Sequence, residues 1–166
     1  MTRTRRPTVH LLCGYAASGK TTVARRLSAD IGAVRFTLDE WMLSLYDWVP
    51  DDPEYGPAAE RAKELIWSVA SQCLGLGLDV VLDWSQWSRE RRKAWSSRAT
   101  DASANVVIHY LEVPLDEALR RLAARNLERP PGTHQLGIDE ARSFFEEYFE
   151  PPHINEGLEL VIERVT

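Results

Sequence analysis

This 166-residue sequence has little of what marks a secreted, membrane-spanning or metal-binding protein. It contains two cysteines, Cys13 and Cys73, and neither these nor its four histidines have the spacing of metal ligands. No apolar run is long enough to cross a membrane, and the run that follows the arginines of residues 1–7 is too short for a secretory signal. We therefore expect reduced, buried thiols and a cytoplasmic protein with no membrane partner.

The sequence also lacks a surplus of basic residues. The 20 lysines and arginines are outnumbered by 25 acidic residues, which gives a net charge of −5. Nucleic-acid partners usually require a basic excess, so such a partner is disfavoured. Apolar residues make up 44% of the chain and charged residues 27%, which predicts a single domain over residues 1–166 with an ordinary core. Nothing in the sequence indicates its oligomeric state.

Residues 14–21, GYAASGKT, match the phosphate-binding pattern G-x-x-x-x-G-K-[ST] at every defined position. Glycines in this pattern allow the tight turn that points backbone N–H groups at phosphate oxygens. Lys20 then reaches the β- and γ-phosphates, and the Thr21 hydroxyl binds Mg²⁺. The predicted cofactors are Mg²⁺ and either ATP or GTP, which the sequence does not distinguish. The predicted nucleotide contacts in this loop are Gly14, Ala16, Ala17, Ser18, Gly19, Lys20, Thr21 and Thr22.

The sequence on either side of this loop has the order that the mechanism requires. Residues 9–13 form an apolar, β-prone run, and Val23, Leu27 and Ile31 recur at helical spacing after the loop. A strand, a glycine loop and a helix are therefore predicted in succession, with the positive end of the helix facing the anion. An incidental turn that happens to contain a lysine would lack this context.

Strand and helix patterns alternate through the rest of the chain. Strands are predicted at residues 33–38, 78–82, 105–111 and 158–165, and helices at 41–47, 58–75, 88–100, from 114 and at 138–148. Helix 58–75 is expected to bury Ala62, Leu65, Ile66, Val69 and Cys73. The alternation predicts a parallel sheet covered by helices on both faces, with the ligand at the carboxyl ends of the strands.

A carboxylate follows the second predicted strand. Asp39 is placed to face the γ-phosphate, where it would accept the proton of an attacking hydroxyl or orient that hydroxyl. The alternative is that Asp39 only caps the short helix after it. Glu40 is the weaker candidate for the same catalytic role.

Another carboxylate, Asp83, ends the third predicted strand. An apolar strand that ends in an acid resembles a Walker B strand, whose carboxylate holds Mg²⁺. Asp79 interrupts the apolar run, and an acid at this position can also face the acceptor. Both roles, metal ligand and acceptor contact, therefore stay open for Asp83.

Three arginines recur at every fourth residue, at positions 121, 125 and 129. They share one face if the helix continues to Pro130, and a turn with proline and glycine follows. This pattern is typical of a lid whose arginines neutralise charge on the triphosphate. Arg125 and Arg121 are the catalytic candidates, with Arg125 also a nucleotide contact and Arg129 an acceptor contact. A basic face that is merely solvated is the alternative.

Together these residues resemble the small P-loop kinases. The loop at residues 14–22, Asp39, Asp83 and the pair Arg125-Asn126 resemble the predicted-kinase group that includes chloramphenicol phosphotransferase, zeta toxins and polynucleotide kinase domains. The resemblance implies a three-layer α/β fold, with a five-stranded parallel sheet in the order 2-3-1-4-5 and a helical lid. It also implies transfer of a γ-phosphate to a hydroxyl, with Asp39 as the general base.

The sequence departs from two members of that group. Polynucleotide kinases commonly carry an arginine three residues after this aspartate, where this chain has Met42, and zeta toxins are usually longer. We therefore expect a small-molecule acceptor: an antibiotic, a nucleoside or a sugar-like compound. Two other functions stay open, an RNA-end or polynucleotide 5′-hydroxyl kinase and an ATPase switch that acts on a protein partner.

Tryptophans are frequent after the second and third strands. They would line an aromatic acceptor pocket, or else pack in the core or lid. Acidic residues at 47, 51, 52 and 54 form a loop that is either solvated or attractive to a cationic acceptor. The predicted acceptor contacts are Asp39, Trp41, Asp83, Trp84, Trp87 and Arg129, with Trp48 in the same cluster.

Overall fold

Strands are interspersed with helices, and the described part of the chain contains five strands and six α-helices. The structure, a computed structural model, describes residues 5–46, 50 and 52–164. The strands are β1 (Thr8–Cys13), β2 (Val34–Thr37), β3 (Val80–Ser85), β4 (Asn105–Glu112) and β5 (Glu159–Arg164). The helices are α1 (Lys20–Ile31), α2 (Leu38–Leu45), α3 (Tyr55–Gly75), α4 (Arg89–Asp101), α5 (Leu115–Glu128) and α6 (Ile138–Tyr148), and a 3₁₀ turn spans Ile154–Glu156.

The strands form one parallel sheet in the order β2-β3-β1-β4-β5. This confirms the predicted α/β class and strand order. The central strand β1 is buried over its whole length and ends directly before the glycine loop. A parallel sheet gathers all its carboxyl ends at one edge, so the ends of β1, β2 and β3 lie beside that loop.

Helices cover both faces of the sheet. On one face, Val9 and Leu11 of β1 join a core that includes residues of α2, α3 and α4. On the other face, Leu12 packs with Val23 and Ala24 of α1. Alternate residues of a strand point to opposite faces, which explains this division. None of the described helices is both long and apolar enough to pass through a bilayer.

Helix α3 buries a face that only partly matches the one predicted. Ala62 and Ile66 are buried as predicted, but Leu65 is 52% exposed and Val69 is 36% exposed. Leu74 is buried instead, and the helix buries four alanines in all. Adjacent apolar residues lie about 100° apart on a helix, so two stripes looked equally good in the sequence. The small alanine side chains let α3 lie close to the sheet, and this selects the second stripe. The helix also begins at Tyr55, so Pro57 lies within its first turn and not at its first position.

The carboxyl-terminal segment is fixed to α4 by a buried ion pair. Ser88 caps α4 as predicted, accepting a hydrogen bond from the Arg91 amide at 3.2 Å. From the same helix Arg92, fully buried, donates two hydrogen bonds to Glu156 at 2.8 and 2.6 Å. Arg92 also donates to the carbonyl oxygens of Gln86 and Glu150, each at 2.9 Å. This guanidinium therefore links the end of β3 to the segment before β5.

A row of polar groups runs across the sheet from β1 through β4 to β5. His10 Nδ1 lies 2.9 Å from His109 Nε2, and His109 Nδ1 lies 3.4 Å from a Glu163 oxygen. Burial, and then the neighbouring His109, lower the pKa of His10 to about 4, while Asp79 acts in the opposite direction. The neutral imidazole is therefore the form that the folded protein favours.

We expect His10 to make the fold sensitive to acid. The unfolded chain takes up this proton below its ordinary pKa of 6.5, and the folded chain takes it up only near pH 4. Stability from this residue is therefore full above pH 6.5 and lost as the pH falls toward 4, by about 2 kcal/mol at pH 4.5. Urea unfolding at pH 7 and pH 4.5 measures the loss, which His10→Gln should remove and His153→Gln should not. An equal acid sensitivity in wild type and His10→Gln would contradict the assignment.

The two cysteines are free, as predicted. Cys13 is buried in β1, and burial raises its thiol pKa to about 12. Cys73 is only half-buried, which corrects the expectation that both thiols lie in the core.

Candidate active site

The glycine loop connects β1 to α1 in the way that the pattern requires. Gly19 has a φ of 102°, and α1 begins at the next residue with no side chain capping its first turn. A Cβ on Gly14 would lie 2.7 Å from Ser18 Oγ and 3.2 Å from Leu111, so only glycine fits there. The first-turn N–H groups of α1 are therefore the donors that an anion would meet. Ser18 is fully buried and Thr22 is exposed, which leaves mainly the backbone of these two residues for contact.

Lys20 lies within this loop. Its ammonium donates hydrogen bonds to the carbonyl oxygens of Gly14 at 3.0 Å and Tyr15 at 2.6 Å. Burial lowers the pKa of Lys20, and the negative charges of Asp83 and Asp39 oppose that shift. These interactions place the cation between the loop and the two carboxylates.

Asp83 contacts two hydroxyl groups beside the loop. It accepts a hydrogen bond from Thr37 Oγ1 at 3.0 Å and another from the Thr21 side chain. Burial raises the pKa of Asp83, and both hydrogen bonds act against that rise. The predicted strand ended at residue 82, but Asp83 lies inside β3, because Asp83 pairs with Thr37 of β2 and Ser85 pairs with Leu12 of β1.

Thr21 and Asp83 are suited to Mg²⁺. The described residues contain no cluster of three or more His, Cys, Asp or Glu that could hold a metal ion. Mg²⁺ bound with a nucleotide needs fewer protein ligands, because phosphate oxygens and water complete its octahedron. A threonine hydroxyl in direct contact with a carboxylate supplies the hard oxygen ligands that this arrangement uses.

Glu40, the weaker candidate for the base, is paired with a cation. Arg35 of β2 donates to both Glu40 oxygens, at 3.0 and 3.1 Å, and to Thr37. The same guanidinium lies 3.7 Å from Asp83. Arg35, which the sequence analysis missed, therefore orders the groups around the end of β2. The only signal for Arg35 in the sequence was its place in a predicted strand that precedes a helix with carboxylates.

Asp39 is the second residue of α2. Strand β2 ends at Thr37, which is also the residue at the helix N-cap position. The alternative that Asp39 caps this helix is therefore wrong. Asp39 is half-buried, and its charge acts on Lys20, Arg125, Tyr55 and His134. These five groups come from four different helices and one loop, so they share one site.

The segment after α5 folds back over α2 and α3. The side chain of Asn126 donates to the Leu136 carbonyl at 2.7 Å, and Arg125 donates to the His134 carbonyl at 3.3 Å. The His134 ring packs edge-to-face on Tyr55, with ring centres 5.2 Å apart. A Cβ on Gly132 would lie 3.3 Å from Glu40. We call residues 129–137 the lid loop, because they lie over α2 and α3 beside Asp39.

The three spaced arginines have different surroundings. Arg125 is half-buried, its Nε has no partner among the described residues, and burial lowers its pKa while Asp39 acts against that. Arg121 donates to Glu117 at 2.6 Å instead. Arg129 lies beyond the end of α5, exposed and with a φ of 48°, so the three do not share a helical face. Of these three arginines, Arg125 is the one on which the charge of Asp39 acts.

The tryptophans do not form one wall. Trp84 is 6% exposed in the core, where its ring packs on Trp95 with centres 5.2 Å apart. Trp87 packs on Phe144 of α6, with Arg91 lying 3.9 Å above its ring. Trp41 is half-buried at the edge of the core, and Trp48, like Asp47 and Asp51, lies outside the described residues. Acceptor contact stays a prediction for Trp41 and Trp87, whereas Trp84 belongs to the alternative of core packing.

Two polar groups of this site were not found in the sequence. Tyr55 and His134 lie nearly eighty residues apart and meet only when the lid loop folds over α3. No local spacing links them, so no pattern in the sequence could have paired them.

The fold and site define a nucleotide-binding protein of the P-loop NTPase class. The profile of an AAA domain family matches residues 9–151, and the chain belongs to that family, AAA_33. No curated protein matches the sequence.

Solved structures share the fold at low sequence identity. A protein of Chloroflexus aurantiacus J-10-fl provisionally classed as a kinase is 18% identical, with a TM-score of 0.73 over 96% of this chain and 89% of that one. Kti12 of Chaetomium thermophilum, solved with ADP-AlF3, is 20% identical, with a TM-score of 0.70 over 94% and 88%. The APS kinase CysC of Mycobacterium tuberculosis, solved with AMPPNP and APS, is 18% identical, with a TM-score of 0.66 over 97% and 91%. At these identities the likeness concerns the fold.

Proposed function

We propose that this protein is a kinase that transfers the γ-phosphate of ATP to a hydroxyl group of a small molecule. One observation carries the proposal: Asp39 is close enough to Lys20 of the phosphate loop and to Arg125 of α5 for its charge to act on both. A protein that only binds nucleotide has no need of a free carboxylate at that place. A phosphotransferase needs one for the proton of the attacking hydroxyl.

Each residue then has one task. The loop amides and Lys20 hold the β- and γ-phosphates, and Arg125 neutralises charge on the transferred group. Thr21 and Asp83 would hold Mg²⁺, which supplies further charge neutralisation at the phosphates. Asp39 accepts the hydroxyl proton as the acceptor oxygen bonds to phosphorus and the bond to the ADP oxygen breaks. The lid loop keeps water away from this reaction.

The relatives in fold and the composition support a kinase with a small acceptor. The APS kinase was solved with an ATP analogue and APS together, and its fold is shared over nearly the whole chain. The net charge of −5 and Met42 at the position of a common arginine in polynucleotide kinases speak against a nucleic-acid acceptor.

The test is ATP turnover with Mg²⁺ across nucleosides, sugars, hydroxylated antibiotics and short oligonucleotides. A true acceptor raises turnover and gains about 80 Da, the mass of a phosphoryl group. Lys20→Ala should abolish the gain in acceptor mass, and Lys93→Ala, at an exposed position of α4, should not. Turnover stimulated only by oligonucleotides would instead indicate an RNA-end kinase. Tight nucleotide binding without stimulation by any compound would indicate an ATPase switch.

Arg125→Ala is expected to lower phosphate transfer about 100-fold or more, because one positioned cation at the transferring group is worth that much. Arg120→Ala, one turn away on the same helix, serves as the control, since Arg120 is exposed and pairs only with Glu117 among the described residues. Steady-state kinetics with the identified acceptor measure both variants. Equal activity of the two variants would remove Arg125 from the mechanism.

A further inference from the structure

Two polar side chains lie close enough to Asp39 for its charge to act on them: Tyr55 of α3 and His134 of the lid loop. His134 is 6% exposed, and its Nε2 has no hydrogen-bond partner among the described residues. A buried ring nitrogen without a partner is costly, and a bound ligand is one way to satisfy it. The Tyr55 and His134 rings pack edge-to-face with centres 5.2 Å apart, which restricts rotation of the imidazole.

Among the described residues, few charged groups act on Tyr55 and His134. Asp39 and Arg125 are the charged groups that act on His134, and Asp39 is the one that acts on Tyr55. Burial, with help from Arg125, lowers the pKa of His134, and Asp39 only partly opposes this. Burial, and then Asp39, raise the pKa of Tyr55. Both side chains are therefore uncharged near neutral pH, and each offers a hydrogen bond without a charge.

The neighbouring cations have other partners. Arg35 binds Glu40 with two hydrogen bonds and approaches Asp83. Lys20 lies in the phosphate loop, bound to its carbonyl oxygens. Arg125, in the proposed reaction, neutralises the transferred phosphate. Arg129 of the lid loop is exposed, and it is not among the charges that act on His134 or Tyr55. An anionic acceptor at this place would thus meet the Asp39 carboxylate with no further described cation acting on the same two side chains.

We infer that Tyr55 and His134 form the acceptor subsite, and that this subsite takes an uncharged hydroxyl compound in preference to one that carries a phosphate or sulfate beside its hydroxyl. This inference rests on the proposed kinase function and narrows its substrate class. In it, His134 Nε2 makes a hydrogen bond to the acceptor, and Tyr55 orients the imidazole. The loop that carries His134 reaches α3, so this contact also ties acceptor binding to the closed lid.

Matched acceptors test the substrate class. Thymidine and thymidine 3′-monophosphate offer the same 5′-hydroxyl, and glucose and glucose 6-phosphate share the other hydroxyls of the sugar. Any compound that the screen identifies is compared with its own phosphate-bearing analogue in the same way. We expect kcat/KM to be at least tenfold higher for the uncharged member of the pair that reacts. Equal or better turnover of the phosphate-bearing member would overturn the inference.

Three variants test the contact itself. His134→Phe keeps a ring against Tyr55 but removes the nitrogen. We expect the KM for the acceptor to rise by a factor about ten times larger than the factor for the KM for ATP. His134→Gln places an amide near Nε2 and should recover most of the loss. Tyr55→Phe keeps the ring contact and should have a smaller effect. His153→Phe, at an exposed site, controls for loss of a histidine.

The outcomes separate the two proposals. No transfer to any compound by the wild-type protein would overturn the kinase function, and this inference with it. Two results would overturn only the acceptor subsite. One is equal kcat/KM for charged and uncharged acceptors, and the other is an equal rise in the KM for acceptor and for ATP in both His134→Phe and His134→Gln.

Discussion

Replacing Asp39 by Asn is expected to lower phosphate transfer by about 10³-fold, within the range of 10²–10⁴ that general-base catalysis supplies. The amide has nearly the same shape and stays at the second position of α2, but it cannot accept the proton of the hydroxyl. Because Asp39 is proposed to act on the acceptor hydroxyl and not on ATP, the loss should fall on kcat, and the KM for ATP should change little. Steady-state kinetics with Mg²⁺-ATP and the identified acceptor give both values.

The matched control is Asp30→Asn, which removes a carboxylate at the exposed end of α1. An Asp39→Asn enzyme that transfers phosphate as fast as wild type would eliminate the general-base role and leave a positioning role at most.

Replacing Arg92 by Met is expected to lower the free energy of unfolding by about 3–5 kcal/mol. The pair with Glu156 is buried, with side chains 0% and 7% exposed, so the variant leaves a carboxylate without its cation. The carbonyl oxygens of Gln86 and Glu150 lose a donor as well. For a urea slope of about 2 kcal/mol/M, this lowers the midpoint of unfolding by about 2 M.

Arg98→Met on the same helix is the control. Its pair with Glu64 is more exposed, and such pairs contribute about 0–1 kcal/mol. The double variant Arg92→Met/Glu156→Gln should regain part of the loss, because it no longer buries an unpaired charge. If Arg92→Met and Arg98→Met cost the same, the buried pair does not carry the stability assigned to it.

Some features of the site followed directly from local sequence. The loop at residues 14–21 is recognisable because its chemistry depends on consecutive residues: the glycines set the backbone, and Lys20 and Thr21 follow in fixed order. The Ser88 cap could be predicted for a similar reason, because capping depends on one side chain and the next turn. Alternating strand and helix patterns predicted a parallel sheet, whereas its strand order came from the resemblance to the small P-loop kinases.

Other features depended on contacts that no local pattern records. The sequence offers Glu40 as a second candidate for the base, but it does not show that Arg35 donates hydrogen bonds to both oxygens of this carboxylate. Trp84 follows an apolar strand as closely as a site residue would, yet its ring points into the core against Trp95. The side of the sheet to which it points depends on strand register, which the β2–β3 pairing fixes.

The sequence by itself determined the phosphate loop, the parallel α/β fold and the presence of carboxylates near the ends of β2 and β3, because each is encoded by residues close together in the chain. The tertiary structure decided which charged groups are free. It pairs Glu40 with Arg35 and Arg121 with Glu117, and it brings Arg125 and His134 to Asp39. The physical reason is that a charge is neutralised or left available by its neighbours in space, and those neighbours come from distant segments that meet only when the lid loop and sheet are formed.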